Sequence, residues 1–384
     1  MNGRSVYVRG VGYHPFGRHP GTSLKQLAAT AALAALDDAG LSCTEVDAAF
    51  CANAYAGMLN GQESIRGETW LRTIGFGKVA VFNVENACAS GGSAVHLASL
   101  AIAAGAYDDV LVLGAEKMFV NDTARTLAAL ATSADTEVMS NIGMQFVAVD
   151  AIRVKEVMAS EGLDDSALEW VAAKNHDNGV HNPMAQFRKP MTMEQVRASR
   201  MISDPIRLFM CSAISDGAAA VVLSSRPGRG GVRVRASAVA SSPVRARDGA
   251  KPTPALAAEA AYAQAGLGPA DLDFAEVHDA VAPAELMYYH ELGFCKAGEV
   301  GRFVRERRSA LDGAFPVNPS GGLSARGHPV GATGVAQIAE LALQLRGDAH
   351  GRQVQGARLA LAHNAGGWIG EDPAVCVVHI LQSD

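Results

Sequence analysis

The stretch Asn83-Val84-Glu85-Asn86-Ala87-Cys88-Ala89-Ser90-Gly91-Gly92-Ser93-Ala94 places a cysteine between an apolar run, Val79 to Phe82, and an Ala-rich helical pattern from His96 to Ala104. Such a cysteine stands at or just before a helix N-terminus. There, unpaired backbone N–H groups and the positive dipole end favour the thiolate, the reactive form of the side chain. Small neighbours, Ala87, Ala89, Ser90, Gly91 and Gly92, leave the sulfur open to a substrate. A free cysteine is as a rule a small buried hydrophobe, so Cys88 needs partners before it reads as a nucleophile.

Three later stretches offer them. Phe274-Ala275-Glu276-Val277-His278-Asp279-Ala280 is a strand pattern ending in an imidazole. Asn318 to Gly334 is Gly-rich and carries His328 just before a helical pattern, where glycines let the backbone approach a ligand closely. Leu359 to Gly367 is a strand pattern that opens into a Gly turn bearing His363, Asn364 and Gly366. Ligands in open α/β sheets sit at strand C-termini. Two histidines on separate Gly-flanked turns, with a cysteine on a third, predict a Cys–His–His site. Gly10-Val11-Gly12 is no dinucleotide fingerprint, because no βαβ context with an acidic partner follows it.

The elements that must position these groups follow from composition and period. A chain of 384 residues that is 49% hydrophobic, 19% charged and rich in Gly and Ala predicts a compact α/β globule of two or more lobes. A net charge of −6 provides no basic face for nucleic acid. The six cysteines are scattered, without C-x-x-C pairs or metal-ligand rhythm, which predicts reduced thiols, no metal site and a cytoplasmic protein. No signal-peptide pattern or membrane-length apolar run is present, and the closing Leu-Gln-Ser-Asp is not a peroxisomal address.

Strand patterns at 5–12, Val46 to Cys51, Val79 to Phe82 and Asp109 to Leu113 alternate with helical ones at Ser23 to Ala39, Ser64 to Ile74 and the run to Gly105. That rhythm predicts a mostly parallel sheet covered by helices. Residues 117–210 break it: they hold helical patterns, Val147 to Glu161 and Asp165 to Asn178, without clear strands. They read as an inserted loop domain ahead of a strand from Ala218 to Leu223. The expected division is therefore an N-terminal lobe of 1–116 and 211–228, the insertion 117–210, and a C-terminal lobe of 229–384.

The second lobe repeats the first. Ala31 to Leu41, followed by Asp47, matches Ala257 to Leu267, followed by Asp273, at an offset of 226 (266 − 40). The helix around Val95 matches that around Val335 at an offset of 240, which sets Cys88 against His328 (328 − 88). A pseudo-twofold axis then brings a sulfur and an imidazole face to face.

These stretches, together with Asn182-Pro183-Met184-Ala185-Gln186-Phe187 and Cys211-Ser212-Ala213-Ile214-Ser215-Asp216-Gly217-Ala218-Ala219, resemble the thiolase family over nearly the whole chain. The branch they resemble most is the sterol-carrier-protein-type thiolases, or lipid-transfer proteins. The resemblance implies the thiolase fold: two pseudo-twofold-related βαβαβ lobes in α/β/α/β/α layers, with an inserted loop domain. It implies that Cys88 takes the acyl group from a thioester and that His328 activates it. His278 and His328 would hold the thioester oxyanion, and the backbone N–H groups of Cys88 and Gly366 would form a second oxyanion hole. No permanently bound cofactor is implied; coenzyme A and acyl-CoA are substrates, and 117–210 would hold the pantetheine arm. A homodimer is implied too, joined in several bacterial relatives by a small OB-fold/zinc-ribbon chain.

Two departures stand out. Ordinary thiolases carry a second cysteine on the C-terminal Gly turn, where this chain has Asn364. The sterol-carrier branch carries it two positions after the first histidine, where this chain has Ala280. Neither side chain exchanges a proton at neutral pH. The candidates for the auxiliary acid/base role are then His363, with Asn364 beside it, or one of the two catalytic histidines, His278 or His328, doing both jobs. Cys376 reads as core, and Cys211 has no imidazole neighbour in sequence.

The function expected is an acyl-CoA C-acyltransferase that cleaves a β-keto acyl-CoA with CoA or joins carbons by a Claisen-type condensation. Two other readings compete: a retro-aldol lyase acting on a hydroxyacyl-CoA, and a non-catalytic acyl-CoA-binding subunit. Relatives of the lyase kind carry tyrosines where this chain has His278 and His328.

Overall fold

The computed structural model describes residues 3–139, 141–243 and 251–383. Its strands are β1 (Tyr7–Gly17), β2 (Ala48–Ala52), β3 (Ala80–Val84), β4 (Asp109–Lys117), β5 (Met201–Ser203), β6 (Ile206–Arg207), β7 (Asp216–Ser224), β8 (Arg233–Ser241), β9 (Phe274–Glu276), β10 (Leu359–Ile369) and β11 (Asp372–Gln382). The principal helices are α1 (Leu24–Ala39), α2 (Ser90–Ala103), α3 (Thr123–Ala131), α4 (Phe146–Glu161), α5 (Asp165–Val180), α6 (Thr253–Ala265), α7 (Ala284–Glu291) and α8 (Thr333–Arg346).

All strands but the β5–β6 hairpin join one sheet, ordered β3-β2-β4-β7-β1-β8-β11-β10-β9. The halves meet at β1 and β8, where Val8 N–H donates to Val232 O at 2.8 Å and Val234 N–H to Val6 O at 2.8 Å. Outward from that seam both halves run alike. One side has β7, β4, β2 and the β3 edge; the other has β11, β10, β9 and then Val317, bridged to Ala275. The repeat offset of 226 carries the start of β1 onto that of β8 (233 − 7) and the end of α1 onto that of α6 (265 − 39). The expectation of a mostly parallel sheet is corrected. Only β2–β3, β2–β4 and β9–β10 are parallel, while β4–β7, β7–β1, β1–β8, β8–β11 and β11–β10 run antiparallel. Each lobe begins with parallel βαβ crossovers, but its later strands return beside their neighbours in the opposite sense. Hydrophobic runs buried on both faces read the same in either direction.

Both faces are covered, which explains why β4 and β7 read as continuous apolar runs. Helix α1 packs on β1, β7 and β4; α6 packs on β8 and β11; α2 and α8 lie between the half-sheets. Helix α1 starts where the sequence predicts it, at a capping box of Ser23 and Gln26, and ends on Gly40 at φ 64°. A Cβ on Gly12 would stand 2.2 Å from Ala31 O, so the Gly10-x-Gly12 pair serves close strand–helix packing. At the α2–α8 crossing a Cβ on Gly334 would stand 2.2 Å from Gly92 N. That close approach holds the two turns of the site together. Helix α2 begins at Ser90, six residues before the Ala-rich pattern becomes visible. The span from 117 to 210 holds α3, α4 and α5 as well as the β5–β6 hairpin, whose arms are too short to show an alternating pattern.

Candidate active site

Cys88 sits two residues ahead of α2, just after a tight turn in which Ala87 takes φ 48°. That left-handed conformation is costly for alanine, and local hydrogen bonds hold it. Ala87 N–H donates to Glu85 Oε1 at 2.6 Å, Ser90 Oγ–H donates to Ala87 O at 2.6 Å, and Asn86 N–H donates to Ser90 Oγ at 2.9 Å. Across the lobe interface, one ring nitrogen each of His278 and His328 and the Cys88 sulfur lie within 4.8 Å of one another. The two rings meet edge to face at 5.0 Å. Cys88, His278, His328 and Gly366 line one cavity of about 320 Å³, and Gly366 is packed so close to Cys88's turn that a Cβ on it would stand 2.3 Å from Asn86 O. His363 and Asn364 are not among its lining residues.

Hydrogen bonds give the two imidazoles opposite tautomers. The Thr333 hydroxyl lies 2.7 Å from His328 Nδ1 and donates its single hydrogen to Pro329 O at 3.2 Å. With the Thr333 hydrogen on Pro329 O, His328 Nδ1–H is assigned as the donor to Thr333, and Nε2 keeps its lone pair. Asn364 does the reverse for His278. Gly92 N–H donates to Asn364 Oδ1 at 3.1 Å, while Asn364 Nδ2 donates to Cys88 O at 3.0 Å and to His278 Nδ1 at 3.1 Å. A backbone N–H only donates and a carbonyl only accepts, so the amide has one orientation. His278 then accepts at Nδ1 and carries its hydrogen on Nε2. One ring presents a base and the other a donor. The three groups are close enough for a metal-ligand set, but His278 with its free nitrogen protonated is arranged to donate a hydrogen bond.

Burial lowers both imidazoles, His328 to about 3 and His278 well below its ordinary value, the latter helped by its neighbour His328. The expectation of a resting thiolate is corrected. Burial, reinforced by Glu116 and Asp150, pushes the Cys88 thiol up to about 12. The resting pair is a neutral thiol beside a neutral imidazole.

The auxiliary acid/base role expected of His363 and Asn364 does not fit their placement. Every polar hydrogen and the amide oxygen of Asn364 are engaged in holding Cys88, His278 and Gly92. His363 is fully buried on β10 and accepts from His278 N–H at 3.5 Å. Its ring lies 4.4 Å from that of Tyr288, and its Nε2 has no hydrogen-bond partner. Cys376 is core, as expected, and all six cysteines are free.

A buried polar network holds the His278 loop. Asp279 accepts from Leu323 N–H at 2.9 Å and from Asn175 Nδ2 at 2.8 Å; Asn318 Oδ1 accepts from Val277 N–H at 2.8 Å. Glu285 binds Lys174 and Tyr289 and accepts from Asn318 Nδ2 at 2.9 Å. The His328 turn is held in turn by Glu116, which accepts from Gly331 N–H at 3.1 Å and from Ala54 N–H at 2.9 Å, and by Ser215 Oγ, which accepts from His328 N–H at 3.0 Å. Thr333 and Ser215 stand in stretches the sequence marks, without a role of their own there, and Asp150 stands in none of the motifs. For Asp150 the available signal was one acid inside the apolar pattern Phe146 to Ile152.

Comparison with known proteins agrees with this architecture. The thiolase N-terminal domain model matches residues 9–205, and the thiolase C-terminal domain-like model matches 236–380. An acetyl-CoA acetyltransferase of Methanothermobacter thermautotrophicus is 39% identical, covering 98% of this chain and 99% of the relative. Sterol carrier protein 2 of Bos taurus is 32% identical, covering 94% of this chain and 70% of the relative. The structure titled Ltp2-ChsH2(DUF35) aldolase superimposes with a TM-score of 0.81 at 25% identity, covering 100% of this chain and 99% of that one. The chain belongs to the thiolase family and is an acyltransferase of the thiolase type. Within the family it falls with the sterol-carrier-protein and lipid-transfer branch.

Proposed function

We propose that this enzyme moves an acyl group between coenzyme A and carbon through a thioester on Cys88, by thiolysis of a β-keto acyl-CoA or by the reverse Claisen-type condensation. The observation that carries this reading is the Cys88 sulfur with one ring nitrogen each of His278 and His328 within 4.8 Å of one another, Thr333 and Asn364 holding the two rings. His328 Nε2 takes the thiol proton as the sulfur attacks, so the costly thiolate never stands alone. The thioester oxygen, gaining charge, accepts from His278 Nε2–H. While His328 holds that proton its Nε2–H is a donor, and once it returns the proton it is a base again. Backbone N–H groups of Cys88 and Gly366 serve the second oxyanion, and each such donor is worth roughly 10²–10³ in rate. Asn364 is the positioning residue, tying the nucleophile's carbonyl to the ring that stabilises the oxyanion.

The segment 117–210 is the roof of the site between the two lobes and the wall for the pantetheine arm; Met118, Leu127, Phe146 and Leu208 line the cavity from it. A homodimer is supported by the β3 edge, where Phe82 is 42% exposed. A small DUF35-type partner is supported by the likeness to the complex of that title. A cytoplasmic setting is supported by the free thiols, and no helix among the described residues is long and apolar enough to cross a membrane. The competing lyase reading would not require an acylated sulfur. Intact mass after incubation with an acyl-CoA separates the two: an acyl adduct on Cys88, absent in Cys88→Ser, is expected. Retro-aldol products without any adduct would overturn the proposal.

A further inference from the structure

With Ala280 and Asn364 at the two positions where thiolases keep their second cysteine, something else must carry the proton of the substrate's α-carbon. The protic side chains on the cavity wall besides the Cys–His–His set narrow the choice. The Cys211 thiol donates to Arg207 O at 3.5 Å, and burial pushes it up to about 12. Tyr288 lies against His363, and burial raises its hydroxyl well above the ordinary value. Asp150 differs from both. It projects from α4 into the cavity that Ala280 and Cys88 also line, it is 2% exposed, and its Oδ2 has no hydrogen-bond partner. An unpaired buried carboxylate oxygen is costly, and Arg153, one helical turn on, directs its Nη2 to Glu291 at 2.5 Å.

We infer that Asp150 is the acid/base catalyst of the α-carbon, in place of the missing cysteine. The inference rests on the acyltransferase reading above. In condensation, Asp150 carboxylate takes a proton from the α-carbon of an acyl-CoA. The C–H electron pair forms the enolate double bond, and the carbonyl pair moves onto the oxygen held by the oxyanion donors. The CoA thiol released on acylation has already carried off the proton that His328 took from Cys88. The α-carbon then attacks the acyl carbon on Cys88, a carbon–carbon bond forms, the carbon–sulfur bond breaks, and the departing sulfur is reprotonated through His328 by the proton that Asp150 gives up, which resets both groups. In cleavage the order is reversed, and the protonated Asp150 delivers its hydrogen to the α-carbon. Burial, opposed by Arg153, lifts the carboxyl to about 7, so both forms are populated at neutral pH.

The test uses the full-length chain and acetyl-CoA. Deuterium uptake into the acetyl methyl group in heavy water reads proton exchange, and intact mass reads Cys88 acylation. Asp150→Asn is expected to lose exchange by at least 100-fold while intact mass still shows the acyl adduct on Cys88. Exchange that survives in Asp150→Asn overturns the inference, and exchange lost instead in Cys211→Ala transfers the role to Cys211. Loss of both exchange and acylation in Asp150→Asn also overturns it, since the residue would then shape the site as a whole. A parent enzyme that never acylates Cys88 sinks the acyltransferase reading, and this assignment with it.

Discussion

A buried carboxyl with one oxygen lacking a partner should weaken the fold, and Asp150→Asn measures by how much. The side chain is 2% exposed, so solvent screening relieves little of the cost. Burial lifts its pKa from the ordinary 3.8 to about 7, with Arg153 pulling the other way. At about 1.4 kcal/mol per tenfold, that displacement corresponds to roughly 4 kcal/mol between folded and unfolded states. A carboxyl raised in the fold contributes its full share of stability below the unfolded value, near pH 4. That share is lost as pH rises toward 7, and above 7 the loss is complete. Asparagine cannot ionise, so the variant escapes the loss and retains only an amide short of partners, a cost of about 1–3 kcal/mol. The variant should therefore match or trail the parent at pH 4.5 and gain on it by about 2–4 kcal/mol between pH 4.5 and 8. Guanidinium midpoints of both proteins at the two pH values give the answer. The other buried carboxyls with raised values, Glu116, Glu276 and Asp279, cancel in the difference. A difference between the proteins that does not change with pH would refute the reasoning, because the carboxylate would then be paired or solvated.

Other expectations follow from the same geometry. His278→Ala and His328→Ala should each lower turnover by at least an order of magnitude with the fold intact by circular dichroism; an unchanged rate for either removes that ring from the chemistry. Thr333→Val removes the acceptor of His328 Nδ1–H. Cys88 acylation should slow by about tenfold or more while KM for the acyl-CoA stays put, and a KM effect alone would place Thr333 in binding. Gly334→Ala would force a Cβ to 2.2 Å from Gly92 N, so the α2–α8 crossing must open. A loss of about 1–3 kcal/mol is expected, and a thermal midpoint equal to the parent's would contradict the packing described.

Local chemistry was legible in the sequence by itself. A cysteine among small residues ahead of a helix, histidines on Gly-flanked turns, a helical pattern from Ser23 to Ala39, and a repeat that set Cys88 against His328 are patterns written within a few residues or at a constant offset. Strand sense was not, because runs buried on both faces carry no mark of their neighbours' direction. Nor was the division of labour inside the site. Asn364 and His363 are adjacent in sequence and point to opposite faces of β10. One reaches Gly92, 272 positions away, and sets a tautomer; the other is sealed against Tyr288. Asp150 reaches the cavity only because α4 crosses it. Sequence determines which side chains can do acid, base or nucleophilic work. Packing between distant segments decides which of them are wet, paired or neutral, and with that which of them can act.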